Sequence, residues 1–234
     1  MLYLSMDCEA LLSKKFKGPK TLVESENSIR NFAIILDKYE IEGEFFITPE
    51  AAKNHSQLFT ELGKKHKLSL HLHLGSHKNG HYFGQKIELG NLSKQKQQSE
   101  IKLALDEFTH ALNQKPHGFR AGMASANCDT FEVLTKLGIH HGSLTIPNLT
   151  SERYKFDWKD WPQIPHTIET AFGPFTNFPL TNDFKIESNN SADLTEKIIA
   201  SYKALDYASI YTHNWVDFSD SFYLEALLKQ VKSV

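Results

Sequence analysis

The sequence predicts an α/β fold whose parallel sheet is either open or closed into a barrel. Short apolar segments of strand length alternate with longer amphipathic segments at a nearly constant interval along the 234 residues. Polar side chains recur where the apolar segments end, which is the ligand-binding edge of parallel sheets. Because no internal repeat or linker interrupts this pattern, we expect one domain spanning residues 1–234.

Seven apolar segments bounded by turn residues are predicted as strands. They cover residues 2–8, 43–48, 68–74, 117–121, 140–146, 175–180 and 208–213. Between the fifth and sixth strands the pattern lapses, and residues 147–172 are predicted as a long irregular loop. The rings of Trp158 and Trp161 in this loop either line a concave surface or pack over the sheet.

Six amphipathic segments are predicted as helices. They cover residues 25–39, 49–66, 95–113, 128–137, 193–205 and 219–232. The first has helical spacing of Ile29, Phe32 and Leu36, with Ser25 or Asn27 as its N-cap. The second starts with a proline, which is favoured at the first position of a helix.

Composition and charge exclude several classes of protein. A net charge of −2 gives no reason to expect nucleic acid or an anionic membrane surface as a partner, because both require a clustered positive field. The short basic runs at 14–17 and 64–67 are interpreted as solvated faces. Cys8 and Cys128 lie far apart without a metal-binding spacing, which is typical of a reduced compartment. With no membrane-spanning run and no leader pattern, the sequence predicts a cytoplasmic protein.

The most distinctive segment is 68–77, where three histidines fall within seven residues of an apolar run. Strand alternation sends the leucines to one face and His71 and His73 to the other. His77 follows just past the end of the strand and can fold back toward the same point. Since neutral imidazole is the commonest metal ligand, this segment predicts a metal site that carboxylates complete.

Candidate site residues come from the carboxyl ends of the predicted strands, where ligands gather in parallel sheets. They are Asp7 and Glu9 after the first strand, His71, His73 and His77 after the third, Arg120 at the fourth, and His213, Asn214 and Trp215 after the seventh. One charged strand end could arise by chance. Four strand ends that share one pole of the sheet predict a site.

Five segments of this chain follow one another in the order of a known set of motifs. They are Leu-Ser-Met-Asp-Cys-Glu at 4–9, Ile-Glu-Gly-Glu-Phe-Phe-Ile at 41–47, the histidine stretch, Gly-Phe-Arg-Ala at 118–121 and Ile-Tyr-Thr-His at 210–213. Over nearly the whole chain, this order resembles the polysaccharide deacetylases, the NodB-homology family of carbohydrate esterase family four.

The resemblance implies a single-domain distorted (β/α)7 barrel and a divalent metal, most often zinc, that activates water against an amide or ester carbonyl. It implies a hydrolase that removes N-acetyl or other small acyl groups from an amino sugar or polysaccharide. By the resemblance, Asp7 is the general base, Glu9 the acidic metal ligand, Arg120 the group that orients the base, and His213 the general acid.

Substrate contacts follow from the same resemblance. The segment that begins at Ala121 lines the substrate groove in the family, and Asn214 and Trp215 are expected at the groove as well. Trp215 and the aromatic-rich residues 154–178 would supply the apolar platform that a sugar face or an acetyl methyl group needs. The expected partner is a small-molecule or oligosaccharide substrate.

Several alternatives stay open at this point. Asp7-x-Glu9 replaces the family's adjacent aspartates, so either acid could bind the metal. The His-x-x-x-His register selects His73 and His77, whereas a register counted from the preceding helix selects His71 and His73. Two other functions compete: an allantoinase-type cyclic amide hydrolase, which in this superfamily can work without metal, and a catalytically silent saccharide-binding barrel. The sugar and the oligomeric state are not determined.

Overall fold

The computed structural model of the protein describes residues 1–181, 192–219 and 222–232. Ten strands lie within these ranges. They are β1 (Leu2–Cys8), β2 (Glu44–Ile47), β3 (Lys67–Leu72), β4 (Phe119–Ala121), β5 (His141–Gly142), β6 (Thr150–Ser151), β7 (Phe156–Asp157), β8 (His166–Thr170), β9 (Gly173–Asn177) and β10 (Ala208–His213).

Seven α-helices lie within the same described ranges. They are α1 (Leu22–Lys38), α2 (Pro49–Asn54), α3 (Ser56–Leu62), α4 (Lys94–Leu112), α5 (Cys128–Lys136), α6 (Ala192–Leu205) and α7 (Phe222–Lys232).

Eight strands form one curled sheet in the order β10-β1-β2-β3-β4-β5-β9-β8. Neighbouring strands are parallel except β8 and β9, which form an antiparallel hairpin at one edge. The seven parallel strands are the seven that the sequence predicts. The α/β barrel architecture is therefore confirmed, as a half-barrel that has β10 and β8 as its edges among the described residues.

Strand alternation gives the half-barrel two unlike surfaces. On β1, the side chains of Leu4, Met6 and Cys8 join the main hydrophobic cluster together with residues of the surrounding helices. Ser5 and Asp7 alternate with them and therefore face the inside of the barrel. Packing against the helices thus uses one face of the strand, and the other face can carry the polar groups of a site.

Helix α1 begins three residues earlier than predicted, and its N-cap is Thr21 rather than Ser25 or Asn27. The Thr21 hydroxyl accepts a hydrogen bond from the Glu24 amide (3.1 Å), and the Glu24 carboxylate accepts one from the Lys20 amide (2.6 Å). These bonds satisfy backbone donors that the first turn leaves unpaired.

The predicted helix 49–66 is two helices, because the backbone of His55 leaves helical geometry at φ −127° and ψ 32°. The His55 ring is buried and packs edge-on against Phe59, with ring centroids 6.3 Å apart. The chain therefore turns at His55 while the apolar spacing continues across the turn.

Residues 147–172 are more regular than predicted. Strands β6 and β7 pair with each other, and β8 extends the main sheet. Side chains of β8 alternate between partly buried and exposed, so this edge strand lacks the apolar pattern that marks the others. Trp158 is 1% exposed and packs against Phe131, with ring centroids 6.1 Å apart, so its ring belongs to the core. The fifth strand is also shorter than the predicted 140–146.

The last helix is described from Phe222 onward, and residues 220–221 of the predicted helix 219–232 lie outside the described residues. None of the helices that the structure describes has both the length and the apolar character needed to cross a membrane.

Candidate active site

The two acids lie at the carboxyl end of β1, which is flanked by β10 and β2. Asp7 and Glu9 are both buried, whereas Cys8 between them is turned into the core. Asn214, just after β10, fixes the backbone of Glu9. Its side-chain oxygen accepts a hydrogen bond from the Glu9 amide (3.0 Å), and its amide group donates one to the Glu9 carbonyl (3.1 Å). The acid end of β1 is thus held in place by the strand beside it.

Three side chains with metal-ligating atoms converge where β1 and β3 end. Glu9 Oε1 lies 3.1 Å from His71 Nε2 and 3.0 Å from His73 Nε2. The two imidazole rings meet edge to face, with centroids 4.9 Å apart. One donor atom from each of the three residues lies within 4.8 Å of the other two, a spacing that a single cation can bridge.

The second nitrogen of each imidazole already has a partner. His71 Nδ1 is 2.9 Å from the backbone oxygen of Arg120, and His73 Nδ1 is 3.1 Å from Glu88 Oε1. When Nδ1 donates its proton to such an oxygen, Nε2 keeps its lone pair for a cation beside Glu9. Two imidazoles and one carboxylate form a donor set that suits a borderline divalent ion such as zinc. The residues present therefore fit the metal that the family resemblance implies.

Charge also shapes this group. Burial lowers the pKa of His73, but Glu9 and Glu88 raise it well above its ordinary value. Burial raises the pKa of Glu9, but His73 and His71 lower it well below its ordinary value. The carboxylates and imidazoles therefore stabilise each other's charged forms, and the negative charge that favours a ring proton also favours a bound cation.

Arg120 holds the other acid. Its guanidinium donates to Asp7 Oδ1 (2.5 Å), to Ser5 Oγ (3.0 Å) and to Ser143 Oγ (3.1 Å), and it lies over the Phe46 ring at 3.9 Å from the centroid. Burial raises the pKa of Asp7, but Arg120, with His71 and His213, outweighs burial and lowers it. Asp7 is therefore an ionised and fixed carboxylate.

The second carboxylate oxygen of Asp7, Oδ2, faces the histidines and lies 3.9 Å from His71 Nε2. β10 lies on the side of β1 away from β2 and β3, and its last residue, His213, pairs in register with Asp7. The His213 ring stacks on Trp215, with centroids 4.2 Å apart and an angle of 22° between the planes. A carboxylate and an imidazole thus flank the histidine group from two neighbouring strands.

The structure does not bring His77 to this group. His77 is buried, and its Nε2 lies 3.1 Å from Glu107 Oε2 on α4. The amide of Lys78 donates to Glu50 on α2 (2.5 Å), so the loop just after the histidine stretch is tied to two helices instead of folding back over β3. Of the two registers open in the sequence, the arrangement of donor atoms is that of His71 and His73.

Asn214 also differs from its predicted place. It is fully buried, and besides Glu9 its amide group contacts Ser25 Oγ (2.8 Å) on α1. All of these bonds are internal, so Asn214 positions Glu9 and does not line the groove. The other two residues predicted to contact substrate, Ala121 and Trp215, do line it.

A cavity of about 500 Å³ opens above these groups. Asp7, Glu9, His71, His73, Arg120 and His213 lie in its lining. Side chains from four loops form its apolar walls: Phe16, Met123, Tyr154 and Trp215. The cavity therefore joins the polar group at the strand ends to an apolar surface of the size that a small ligand fills.

Sequence reasoning missed Glu88, the partner of His73. Glu88 lies in the long loop between β3 and α4, where it is 7% exposed and flanks a short 3₁₀ helix at Leu89–Asn91. The available signal was a charged residue between Ile87 and Leu89 in a loop longer than compact domains commonly use.

The fold and the site together define a class: an α/β barrel with a histidine–carboxylate group and an arginine-held aspartate at the carboxyl ends of its strands. The polysaccharide deacetylase family model matches residues 17–142, which is more than half of the chain. The protein therefore belongs to the polysaccharide deacetylase family. Asp7, Glu9 and His213 lie outside the matched residues, so their place in the site rests on the structure. No curated protein sequence matches the chain.

Solved structures share this fold at low sequence identity. A Mycobacterium smegmatis protein assigned as a polysaccharide deacetylase has 14% identity and a TM-score of 0.68, covering 89% of this chain and 71% of its own. The allantoinase PuuE has 14% identity and a TM-score of 0.69, covering 100% of this chain and 84% of its own. A pseudoenzyme of carbohydrate esterase family four from Bacillus anthracis has 13% identity and a TM-score of 0.58, covering 100% of this chain and 60% of its own. Likeness at this identity establishes the fold and leaves the reaction to the site.

Proposed function

We propose that the protein is a metal-dependent hydrolase that removes N-acetyl or other small acyl groups from an amino sugar or a related saccharide. One observation carries this proposal: a metal-ligating group, an ionised carboxylate and an imidazole surround one end of a single cavity. Amide hydrolysis needs an activated water and a proton for the leaving amine, and these groups are of the types that supply both.

Glu9, His71 and His73 would hold the cation. When bound, a divalent ion lowers the pKa of water and polarises an acyl carbonyl. The chain's own residues do the rest. Asp7, kept ionised by Arg120, accepts a proton at its free oxygen Oδ2. His213 donates a proton from its ring to the leaving nitrogen, and stacking on Trp215 fixes the ring plane.

The ligand assignment predicts which substitutions remove the metal. Purified protein should bind about one divalent ion per chain, and His73→Ala or Glu9→Gln should lower its affinity at least tenfold. His77→Gln is the matched control, because that ring faces Glu107. Metal content is measured by elemental analysis after dialysis. Loss of the ion in His77→Gln with retention in His73→Ala would overturn the assignment.

The role of Asp7 has its own test. Asp7→Asn keeps the size of the side chain but removes the base, so acetate release should fall by a factor on the order of 10² to 10⁴ while metal content is unchanged. Acetate released from N-acetylated sugars is the readout. Full activity in Asp7→Asn, or after exhaustive chelation, contradicts the mechanism.

Hydrolysis of a cyclic amide is a second candidate, supported by the likeness of the fold to an allantoinase. Ureide and N-acetylated sugar substrates assayed side by side separate the two. A barrel that only binds saccharide, as a pseudoenzyme would, is distinguished by binding without turnover of either substrate. The ionised Asp7 and the intact donor set favour turnover.

A further inference from the structure

Four cationic side chains surround the mouth of the cavity. Lys15 and Lys17 come from the loop after β1, Lys86 from the loop after β3, and Arg153 from the segment between β6 and β7. We call these four residues the basic rim. The run at 14–17 reads as a solvated face in sequence, but the fold turns two of its lysines toward the cavity that holds the site.

The charge of the basic rim is not neutralised within the protein. None of the four side chains forms an ion pair with another of the described residues. The three acids in the lining of the cavity already have partners: Asp7 pairs with Arg120, Glu9 with His71 and His73, and Glu88 with His73. Four positive charges therefore face one opening in a chain whose net charge is −2.

A concave wall of low polarity strengthens this field. Phe16 lies between the two rim lysines in sequence, and Tyr154 follows Arg153; both rings line the same cavity. Field lines from charges at the edge of an apolar cleft are focused into the cleft and raise the local concentration of oppositely charged ligands. Arg153 adds a planar guanidinium group, which can donate hydrogen bonds to two oxygens of one anion.

We infer that the substrate carries an anionic group, a phosphate or a carboxylate, close to the acylated sugar, and that the basic rim binds that group. The inference rests on the proposed deacetylase function and narrows its substrate class. The acyl group would reach the strand ends, the sugar would lie against the aromatic wall, and the anion would remain at the mouth with the four cations.

The test compares three N-acetylated sugars that differ only in charge: a neutral methyl glycoside, a sugar 1-phosphate and a sugar that bears a carboxylate. At low ionic strength, kcat/KM for at least one anionic sugar should exceed that of the neutral sugar tenfold or more. This advantage should shrink several-fold at about 0.3 M salt, because salt screens exposed charges. The two anionic sugars distinguish phosphate from carboxylate.

Charge-removal variants locate the effect. Lys15→Gln, Lys17→Gln and Lys86→Gln should each reduce the preference for the anionic sugar roughly two- to fivefold, mainly through KM, and leave the neutral sugar unaffected. Lys64→Gln is the control, since this exposed lysine precedes β3 and lies at the other pole of the sheet. An equal loss in Lys64→Gln, or equal kcat/KM for neutral and anionic sugars, overturns the inference.

A binding measurement distinguishes failure of this inference from failure of the proposed deacetylase function. Calorimetry with the same sugars on Asp7→Asn measures the affinity for the anion without turnover. If the unaltered protein releases acetate from none of the sugars, the proposed function fails. Tighter binding of the charged sugar would still support an anion-binding role of the basic rim. If the charged and neutral sugars bind equally, the inference fails even when acetate is released.

Discussion

Gly122 packs directly against the ring of His73. A Cβ atom at this position would lie 2.2 Å from His73 Nδ1 and 2.4 Å from its Cε1. No side chain fits in that space unless the imidazole moves. The glycine therefore permits the close approach of the backbone that keeps His73 between Glu9 and Glu88.

Gly122→Ala should displace His73 and reduce metal affinity at least tenfold while the chain stays folded. Metal titration and circular dichroism measure these two properties. A double-mutant cycle supplies the control: in a His73→Ala background, Gly122→Ala should cost much less unfolding free energy than in the unaltered protein. If Gly122→Ala lowers the unfolding free energy equally in both backgrounds, the added methyl group does not clash with the His73 ring and the prediction is wrong.

Glu44 lies at the opposite pole of the barrel, at the start of β2. Its carboxylate accepts hydrogen bonds from Tyr3, Ser69 and His141, the last at 3.2 Å. Burial raises the pKa of Glu44, but His141 and the two hydroxyl groups lower it to about 2. The inward-facing polar groups at this end therefore form a structural network, distinct from the acids of the site.

This lowered pKa predicts a dependence of stability on pH. Because the folded pKa is below that of the unfolded chain, the stabilisation is complete above about pH 4.5 and is lost as the pH falls toward 2. We expect the difference in unfolding free energy between the unaltered protein and Glu44→Gln to shrink by about 3 kcal/mol across that range. Urea unfolding at a series of pH values measures it.

Glu42→Gln is the matched control for this experiment. Glu42 is exposed and forms one surface ion pair with Lys67 (3.4 Å), so its removal should change stability by less than about 1 kcal/mol. A pH-independent difference between Glu44→Gln and the unaltered protein would mean that Glu44 has the same pKa in the folded and unfolded states, which contradicts the prediction.

At the scale of elements, Asn214 joins three of them. It follows β10, holds both backbone groups of Glu9 after β1, and donates to Ser25 on α1. Residues more than 200 positions apart are thereby fixed side by side. The geometry of the acid end of β1 depends on this junction as well as on the strand pairing.

Asn214→Ala should destabilise the protein by about 2 to 3 kcal/mol, because it leaves buried backbone groups of Glu9 without partners. It should also weaken metal binding, since Glu9 is no longer fixed. Ser25→Ala removes only one of the three bonds and should cost about 1 kcal/mol without affecting the metal. Unfolding and metal titration of both variants test this, and equal effects in the two would contradict it.

The loop between β3 and α4 shows how an element can separate neighbouring residues. His77 and Asn79 both bond to Glu107, the latter at 2.9 Å, while His73 four residues before His77 bonds to Glu9. The start of the loop at His73 thus belongs to the site, whereas the next turn, at His77 and Asn79, is held by hydrogen bonds to α4.

At the scale of the whole molecule, the site requires both ends of the chain. β1 lies between β2 and β10, so the sheet pairs the first strand with one formed after residue 207. The family model covers 17–142 and therefore leaves out both β1 and β10. The matched region contains two ligand candidates but neither acid of the site.

A fragment of residues 17–142 should therefore fail to fold cooperatively and fail to bind metal, since β2 loses the neighbour that covers it and Glu9 is missing. Circular dichroism during thermal unfolding and metal titration, each run beside the full chain, test this. A sigmoidal transition in the fragment would show that β2–β5 and their helices form an independent unit.

Much of the fold followed from local patterns. Short apolar segments and their spacing predicted all seven parallel strands, because a strand buried on both faces has a composition that each segment carries by itself. β8 escaped prediction because it is a half-exposed edge strand, and the break at His55 escaped because the helical spacing continues across it.

Local patterns predicted the α/β class, the succession of strands along the chain and the set of polar residues at their carboxyl ends, since alternation and strand ends are local properties. The choice among the three histidines depended on tertiary contacts: His71 and His73 meet Glu9, whereas a carboxylate on α4, thirty residues further along the chain, holds His77. The tertiary structure likewise turned Asn214 inward and brought Lys15 and Lys17 to the cavity. These outcomes depend on contacts between segments distant in sequence, which no local pattern contains.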